Sequence, residues 1–146
     1  MKSLKLFPLL LLFVAAVPAL AQDSVTLKIR MQGFRSTGNT ALVGVYDEDK
    51  AAQFPKRDKA VTGDKTEVKD KTEVLTFGGL KPGTYAVAVL HDEDNNGKMS
   101  TNLLGMPKEG YGFSNDAEVK MRAPSFEEAS FELEGDTTIV IDIKYF

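Results

Sequence analysis

The sequence predicts an all-β protein: a single antiparallel β-sandwich of about seven strands, with one long loop. Two observations predict this class. Short segments alternate between apolar and polar residues, which is the period of two expected of a half-buried strand. Glycine and proline residues separate these segments, as in proteins built from many short strands. No segment carries the sustained apolar stripe, spaced by three and four residues, that would indicate a long helix.

Six segments have the pattern of strands. In the first, Val25, Leu27, Ile29 and Met31 alternate with polar residues, which indicates one buried and one wet face. The predicted strands cover residues 25–32, 40–46, 74–77, 84–91, 126–133 and 138–145. The segment 84–91 is apolar on both faces, so we expect it to be a central strand.

Residues 1–21 have the pattern of a cleavable signal peptide. A short basic start precedes an apolar run from Leu6 to Val17, and Ala19-Leu20-Ala21 provides the small residues that signal peptidase recognises. A run of about a dozen residues is shorter than the roughly 20 that span a bilayer. We therefore expect export, with the periplasm as the first expectation and the cell surface or the medium as alternatives. Residues 22–146 would form one β-sandwich domain with no membrane span.

The composition excludes several kinds of site and partner. The chain has no cysteine, so disulfides, thiolate nucleophiles and cysteine-based zinc sites are excluded. Removal of Lys2 and Lys5 with the signal peptide leaves 16 basic and 21 acidic residues, a formal charge of −5. No basic patch is visible, so nucleic acid is not an expected partner.

The acidic segment from His91 to Ser100 has the spacing of a calcium-binding loop. Oxygen-bearing side chains fall at the first, third and fifth positions, and Gly97 occupies the sixth, where such a loop turns sharply. Lys98 would contribute its backbone carbonyl, and Ser100 its hydroxyl. The candidate calcium ligands are Asp92, Asp94, Asn96, Lys98 and Ser100.

The second half of this loop does not follow the calcium pattern. A helix-flanked calcium loop ends in a bidentate glutamate at the twelfth position, where this chain has Leu103. A calcium site would therefore need ligands from elsewhere, such as Glu109 or Asp116. The alternative is a solvated β-turn, because Asn96-Gly97 is a strong hairpin signal.

His91 is the only histidine of the chain and shares a strand face with Tyr85, Val87 and Val89. It could act as a general base beside Asp92, Asp94 or Glu109, which would suit a small hydrolase. Alternatively, it holds the adjacent loop through hydrogen bonds. No Gly-x-Ser-x-Gly motif or other nucleophile accompanies it, so we assign no catalytic residue.

A glycine- and aromatic-rich segment, 103–115, follows the acidic loop. Its aromatic side chains could form a surface for a ligand or a partner protein, or could pack back and close the end of the sandwich. The candidate ligand or partner surface consists of His91, Glu109, Tyr111, Phe113, Ser114 and Asn115.

Several motifs together resemble a bacterial family, Domain of Unknown Function 2141. The motifs are Leu80-Lys81-Pro82-Gly83-Thr84-Tyr85, His91-Asp92-Glu93, Asn96-Gly97-Lys98 and Gly105-Met106-Pro107-Lys108-Glu109-Gly110-Tyr111-Gly112-Phe113-Ser114-Asn115. The resemblance covers nearly all of the chain after residue 21. It implies an exported single domain to which no activity is assigned. The family typically has an acidic residue where this chain has Ser100.

The Leu-x-Pro-Gly-Thr-Tyr turn is also similar to turns in transthyretin-like and immunoglobulin-like sandwiches. This similarity implies architecture and not activity. The transthyretin-related hydrolases have several histidines and a distinctive C-terminal tetrapeptide, whereas this chain has one histidine and ends in Lys144-Tyr145-Phe146. The resemblance therefore does not imply that activity.

The sequence as a whole predicts an exported, non-catalytic binding or interaction module. Long loops on a rigid sheet commonly carry recognition, so we expect segment 92–115 to meet an extracytoplasmic ligand or protein. A calcium-stabilised structural module and a small hydrolase are the two alternatives. Calcium is the one candidate cofactor.

Overall fold

The computed structural model describes residues 23–146, and the predicted signal peptide, 1–21, lies outside the described residues. The strands are β1 (Val25–Gln32), β2 (Thr40–Asp47), β3 (Thr62–Glu67), β4 (Thr72–Leu80), β5 (Gly83–Asp92), β6 (Gly110–Phe113), β7 (Phe131–Leu133) and β8 (Thr137–Asp142). A short helix, α1, spans Phe126–Ala129. Within residues 23–146, no helix has the length and apolar character needed to cross a membrane.

The strands form two sheets, which confirms the predicted β-sandwich class. Sheet A has the order β4-β1-β8, and sheet B has the order β3-β2-β5-β6. β5 is central, as predicted: it pairs with β2 along one edge, and with β6 and the short β7 along the other. The described strand pairs are antiparallel apart from β1 with β8, which run parallel, a pairing that the prediction did not include.

The main core lies between the two sheets and is built from alternating strand positions. Burial of these aliphatic side chains supplies most of the driving force for folding, at roughly 25 cal/mol for each Å² removed from water. The alternation recognised in the sequence of β1 is observed, since its apolar residues are buried. Core residues include Leu27, Ile29, Met31, Val43, Val45, Val87, Val89 and Ile141.

The predicted strand over residues 126–133 is wrong in its first half. The segment begins as helix α1, and only β7 is a strand. Ser125 caps the helix: its hydroxyl accepts from the Glu128 amide at 3.3 Å, while the Glu128 carboxylate accepts from the Ser125 amide at 2.6 Å. This reciprocal capping satisfies amide groups that would otherwise lack partners, so it favours a helical turn over continued strand.

The predicted long loop after residue 92 also needs correction, because β6 lies inside it. β6 pairs with the C-terminal half of β5, with Tyr111 opposite Leu90 and Phe113 opposite Ala88. The loop is therefore two segments, 93–109 and 114–125, on either side of a strand. Segment 92–115 is partly a piece of sheet B and not a free loop.

The two sheets approach each other closely where β6 passes β8. A backbone bridge joins Tyr111 to Lys144, and both glycines of β6 face the end of the chain. A Cβ atom on Gly112 would lie 2.5 Å from Ile141 Cγ2 and 2.9 Å from the backbone oxygen of Asp142. Glycine is therefore required there for space, since a backbone oxygen in a sheet cannot move freely.

We expect Gly112→Ala to lower the free energy of unfolding by about 1–3 kcal/mol, because it overpacks this corner. Urea denaturation measures the change. Gly78→Ala is the matched control, because a Cβ on Gly78 of β4 meets nothing within 4 Å. Equal stabilities of the two variants would contradict the close approach of β6 and β8.

Candidate functional site

The outer face of sheet B, which points away from the main core, is also apolar. On β2 it presents Leu42, Gly44 and Tyr46, and on β5 it presents Ala86, Ala88 and Leu90, by the alternation of strand side chains. A second small core covers one end of this face. Its members include Tyr46, Ala86, Phe126 and Ala129, with Phe54 and Phe113 packed against them.

The other end of the outer face forms a cavity of about 570 Å³, which we call the sheet B cavity. This volume lies within the range of small-molecule sites. The floor includes Leu42, Gly44, Tyr46, Ala88, Leu90, Tyr111 and Phe113. Three loops form the walls. The loop after β2 contributes Pro55, Arg57 and Asp58, and the segment between β5 and β6, which contains the acidic loop, contributes Gly97, Lys98, Met99 and Pro107. The loop after β6 contributes Val119 and Ala123.

Tyr46 carries a polar group on the apolar floor. Its side chain is fully buried, and its hydroxyl has no hydrogen-bond partner within residues 23–146. A Cβ on Gly44, which also lines the cavity, would lie 2.9 Å from this hydroxyl, so the hydroxyl lies over Gly44. Burial raises the pKa of Tyr46 to about 12, so the phenol keeps its proton at neutral pH.

The acidic loop wraps around the carboxylate of Asp92, at the end of β5. Asp92 is buried, and its two oxygens accept from the amides of Asn96 and Gly97 at 3.0 and 2.8 Å. Gly97 has φ +81°, a left-handed conformation that favours glycine. The sharp turn predicted at Gly97 is therefore present, and the Asp92 side chain closes it.

Glu109 fastens the same loop from the other side. It is only 4 % exposed, and its Oε1 accepts from the amides of Glu93 and Asp94 at 2.8 and 3.3 Å. Its Oε2 accepts from the amide of Ser100 at 2.8 Å. Three backbone donors thus hold a buried carboxylate, which ties both arms of the loop to the start of β6.

Asp92, Asp94 and Glu109 come together at one point, with one carboxylate oxygen of each within 4.8 Å of the others. Asp116, the other ligand considered from the sequence, is outside this group. The Asp94 carboxylate accepts hydrogen bonds from the Ser100 hydroxyl, at 2.8 Å, and from Asn96. The pKa of Asp94 is lowered, and the hydrogen bond from Ser100 is the main cause. The cluster therefore joins three carboxylates to the candidate ligands Asn96 and Ser100.

His91 is fully buried between the loop and the end of the chain. Its Nε2 lies 2.5 Å from Asn39 Oδ1, and its Nδ1 lies 2.7 Å from the Tyr145 hydroxyl. That hydroxyl also accepts from the amide of Arg35, whose side chain forms two hydrogen bonds with Glu93. The network connects the first loop of the domain, the acidic loop and the end of the chain.

These contacts assign the neutral tautomer of His91 that carries its proton on Nε2. The Asn39 amide oxygen can only accept, so Nε2 donates to it, and Nδ1 accepts from Tyr145. The pKa of His91 is lowered, and burial of the ring is the main cause. The charge of Glu93 acts in the opposite direction, and the charge of Arg35 lowers the pKa further. Both ring nitrogens are therefore engaged within the protein, a structural arrangement that leaves none to accept a proton from a substrate.

The structure divides the predicted ligand surface. Tyr111 and Phe113 line the sheet B cavity. His91, Glu109 and Ser114 are buried and have protein partners, so their side chains do not form an exposed surface. Ser114, for example, accepts from the Val87 amide at 2.8 Å and donates to the Ala129 carbonyl. Asn115 is exposed and donates to the Glu128 carbonyl.

Sequence reasoning did not identify Leu42, Tyr46 or Arg57 as site residues. A signal existed, because residues 40–46 and 84–91 are apolar on both faces. An apolar outer face must be covered by other parts of the chain or be available to a ligand. The sequence does not reveal which loops lie over that face.

We expect the buried neutral His91 to make stability depend on pH. Its pKa is lowered in the folded protein, while the unfolded chain binds a proton near pH 6.5. The stabilisation is present above pH 6.5 and is lost as the pH falls from there toward the folded pKa. Melting temperatures of wild type in a chelator should therefore fall from pH 7 to 5.5. His91→Gln should weaken this dependence.

NMR gives a direct check, because the single histidine produces one imidazole Cε1–H signal. The signal should titrate below pH 6.5. A midpoint at or above 6.5 in the folded protein would contradict the lowered pKa of the buried His91 ring.

Comparison with known proteins identifies the family. Residues 29–141 match a family described as an uncharacterized protein conserved in bacteria (DUF2141). No curated protein and no solved structure gave a significant match. The match extends from β1 to β8 and so includes the acidic loop, β6 and the cavity walls, and it confirms the resemblance found in the sequence. The chain therefore belongs to the bacterial family Domain of Unknown Function 2141.

Proposed function

We propose that this domain is an exported, non-catalytic binding module that takes a small, largely apolar ligand into the sheet B cavity. The observation that carries the proposal is the cavity itself, about 570 Å³ of space over an apolar sheet face. The leader pattern of residues 1–21 supports a location outside the cytoplasm.

Two features of the cavity support binding in preference to simple packing. Its floor is a rigid sheet, so the apolar surface is preformed and no ordering of the floor is needed on binding. Its walls come from loops, among them the acidic loop, so charged side chains such as Arg57 and Lys98 lie around the same cavity as apolar ones such as Met99. Apolar pockets with a few placed polar groups are the usual form of a small-molecule site.

A neutral fluorescent probe, N-phenyl-1-naphthylamine, tests the proposal. We expect saturable binding to wild type with a blue-shifted emission, because the probe leaves water for an apolar site. Leu90→Trp should weaken binding at least about tenfold, since Leu90 lies between Leu42 and Tyr111 on the floor and a larger side chain would occupy probe volume.

Val140→Trp is the matched control for this substitution. Val140 is 50 % exposed on β8 of sheet A and does not line the cavity, so that variant should bind the probe as wild type does. Absence of saturable binding to wild type, or equal loss in both variants, would refute the cavity as a ligand site.

A second candidate function is a structural module stabilised by calcium. The specific observation in its favour is that Asp92, Asp94 and Glu109 converge within 4.8 Å, with two of the three side chains buried. Calcium takes six to eight oxygens, and Asn96, Ser100 and the Lys98 carbonyl are the additional candidates in the loop. The cation would offset repulsion between three carboxylates and stabilise the loop by linkage.

Thermal unfolding with calcium and with a chelator tests this candidate. Calcium at about a hundredfold excess over the dissociation constant would stabilise the fold by about 2.7 kcal/mol, which for a domain of this size is a rise of about 10 °C in Tm. Asp94→Asn should reduce the rise. Ser100→Asp should increase it, because it adds a fourth carboxylate.

Glu118→Gln is the control for the calcium experiment, since Glu118 is exposed and outside the cluster. An identical Tm with calcium and with chelator in wild type would remove the calcium candidate. The same result would leave the cavity proposal unaffected, because the probe experiment needs no metal.

A further inference from the structure

The sheet B cavity combines an apolar floor with polar groups that the described residues leave without a partner, and two of these lie on β2 and in the loop after it. One is the hydroxyl of Tyr46, which is buried and has no partner within residues 23–146. The other is the guanidinium of Arg57, which lines the cavity wall and is in none of the salt bridges formed by the described residues.

The Tyr46 hydroxyl is costly to the folded protein as it stands. A buried polar group without a partner loses its hydrogen bonds to water and gains none in return. Tyr46 and Gly44 share one face of β2, and the hydroxyl lies over Gly44 within the cavity lining. The hydroxyl has almost no accessible surface in this structure, so a ligand that enters beside Gly44 supplies the missing partner only by displacing the side chains that cover it.

The charges at this wall favour an anion. Asp58 also lines the wall, but its carboxylate lies 3.3 Å from Lys59 Nζ in an exposed salt bridge. Arg57 is therefore the charge at this wall without an opposite partner among the described residues, and Lys98 on the acidic-loop wall is a second cation outside those salt bridges. The phenol of Tyr46 is protonated at neutral pH and can donate to an anionic oxygen, which forms a stronger hydrogen bond than a neutral acceptor does.

We propose that the ligand is an amphiphile with an anionic oxygen head group, such as a carboxylate. Its apolar body would lie on Leu42, Leu90 and Tyr111, and its head group would accept from Tyr46 and pair with Arg57. This inference rests on the proposed function, because it assigns a chemical class to the ligand of the same cavity.

Three probes with the same ten-carbon chain separate the possibilities: decanoate, decanol and decylammonium. Each competes with N-phenyl-1-naphthylamine for wild type at neutral pH and low salt. We expect decanoate to displace the probe at a concentration about tenfold lower than decanol, as a charge-assisted hydrogen bond would give. Decylammonium should be the weakest competitor.

Tyr46→Phe separates a binding role from a structural one. This variant should keep or exceed the wild-type Tm, because it removes an unpartnered buried hydroxyl, and yet it should lose about tenfold in decanoate affinity. Tyr85→Phe is the matched control. The Tyr85 hydroxyl donates to the Lys81 carbonyl, with 2.8 Å between the two oxygens, and Tyr85 does not line the cavity. That variant should therefore lose stability and keep its decanoate affinity.

Arg57→Gln should reduce the preference for decanoate over decanol and leave decanol binding unchanged. Lys56→Gln, one residue earlier and outside the cavity lining, is its control. Equal displacement by decanoate and decanol, or strongest displacement by decylammonium, would overturn the anionic class while the cavity itself stands. Failure of the fluorescent probe to bind would instead refute the proposed function.

Discussion

The carboxylate of Glu109 fixes the geometry of the end of the molecule that carries the candidate sites. It is buried, and a buried carboxylate is stable only when hydrogen-bond donors are directed at it. The amides of Glu93, Asp94 and Ser100 fill this role, and they come from both arms of one loop. Because Glu109 directly precedes β6, the loop is held relative to sheet B, and so is the cavity wall formed by Gly97, Lys98 and Met99.

This arrangement joins the two candidate sites physically. The segment 97–99 contributes to a wall of the cavity, while the residues on either side of it, Asn96 and Ser100, contact the carboxylate cluster. A change in the position of the cluster would therefore move the wall. The hydrogen-bond network of the buried His91 also holds this loop. Arg35, which belongs to that network, binds both the Glu93 carboxylate and the Lys108 carbonyl.

The fold was predictable where one side-chain pattern decides the structure. β1 and β5 show such patterns, because a strand between two layers needs apolar residues at fixed intervals. β3 was not recognised, because Thr62–Glu67 is an edge strand whose side chains are mostly polar and exposed. β6 was missed because two of its four residues are glycines, which leave space for β8 and the residues that follow it, 143–145. The prediction error at α1 has a different cause, since capping by Ser125 outweighs the β-propensity of a short aromatic segment.

The candidate site was predictable only in part, for a related reason. The spacing of Asp92 and Asp94 indicated an oxygen-rich loop, and Glu109 was considered as an additional ligand on chemical grounds. The sheet B cavity, by contrast, depends on residues from β2, β5, β6 and three loops, of which only Tyr111 and Phe113 had been considered as a ligand surface. Their meeting is a result of sheet order, and local patterns do not encode the order in which strands pair.

The parallel pairing of β1 with β8 has a consequence for how the chain reaches this structure. Gln32 and Asp142 are hydrogen-bonded neighbours separated by 110 positions in sequence. Sheet A is complete only when β8 has joined β1 from this distance along the sequence, and contacts between distant segments form slowly because closing a large loop costs entropy. Without β8, one edge of β1 has unpaired backbone groups, which are a template for pairing with another molecule. In the folded protein, β8 therefore covers a strand edge of β1 that would otherwise be open to pairing.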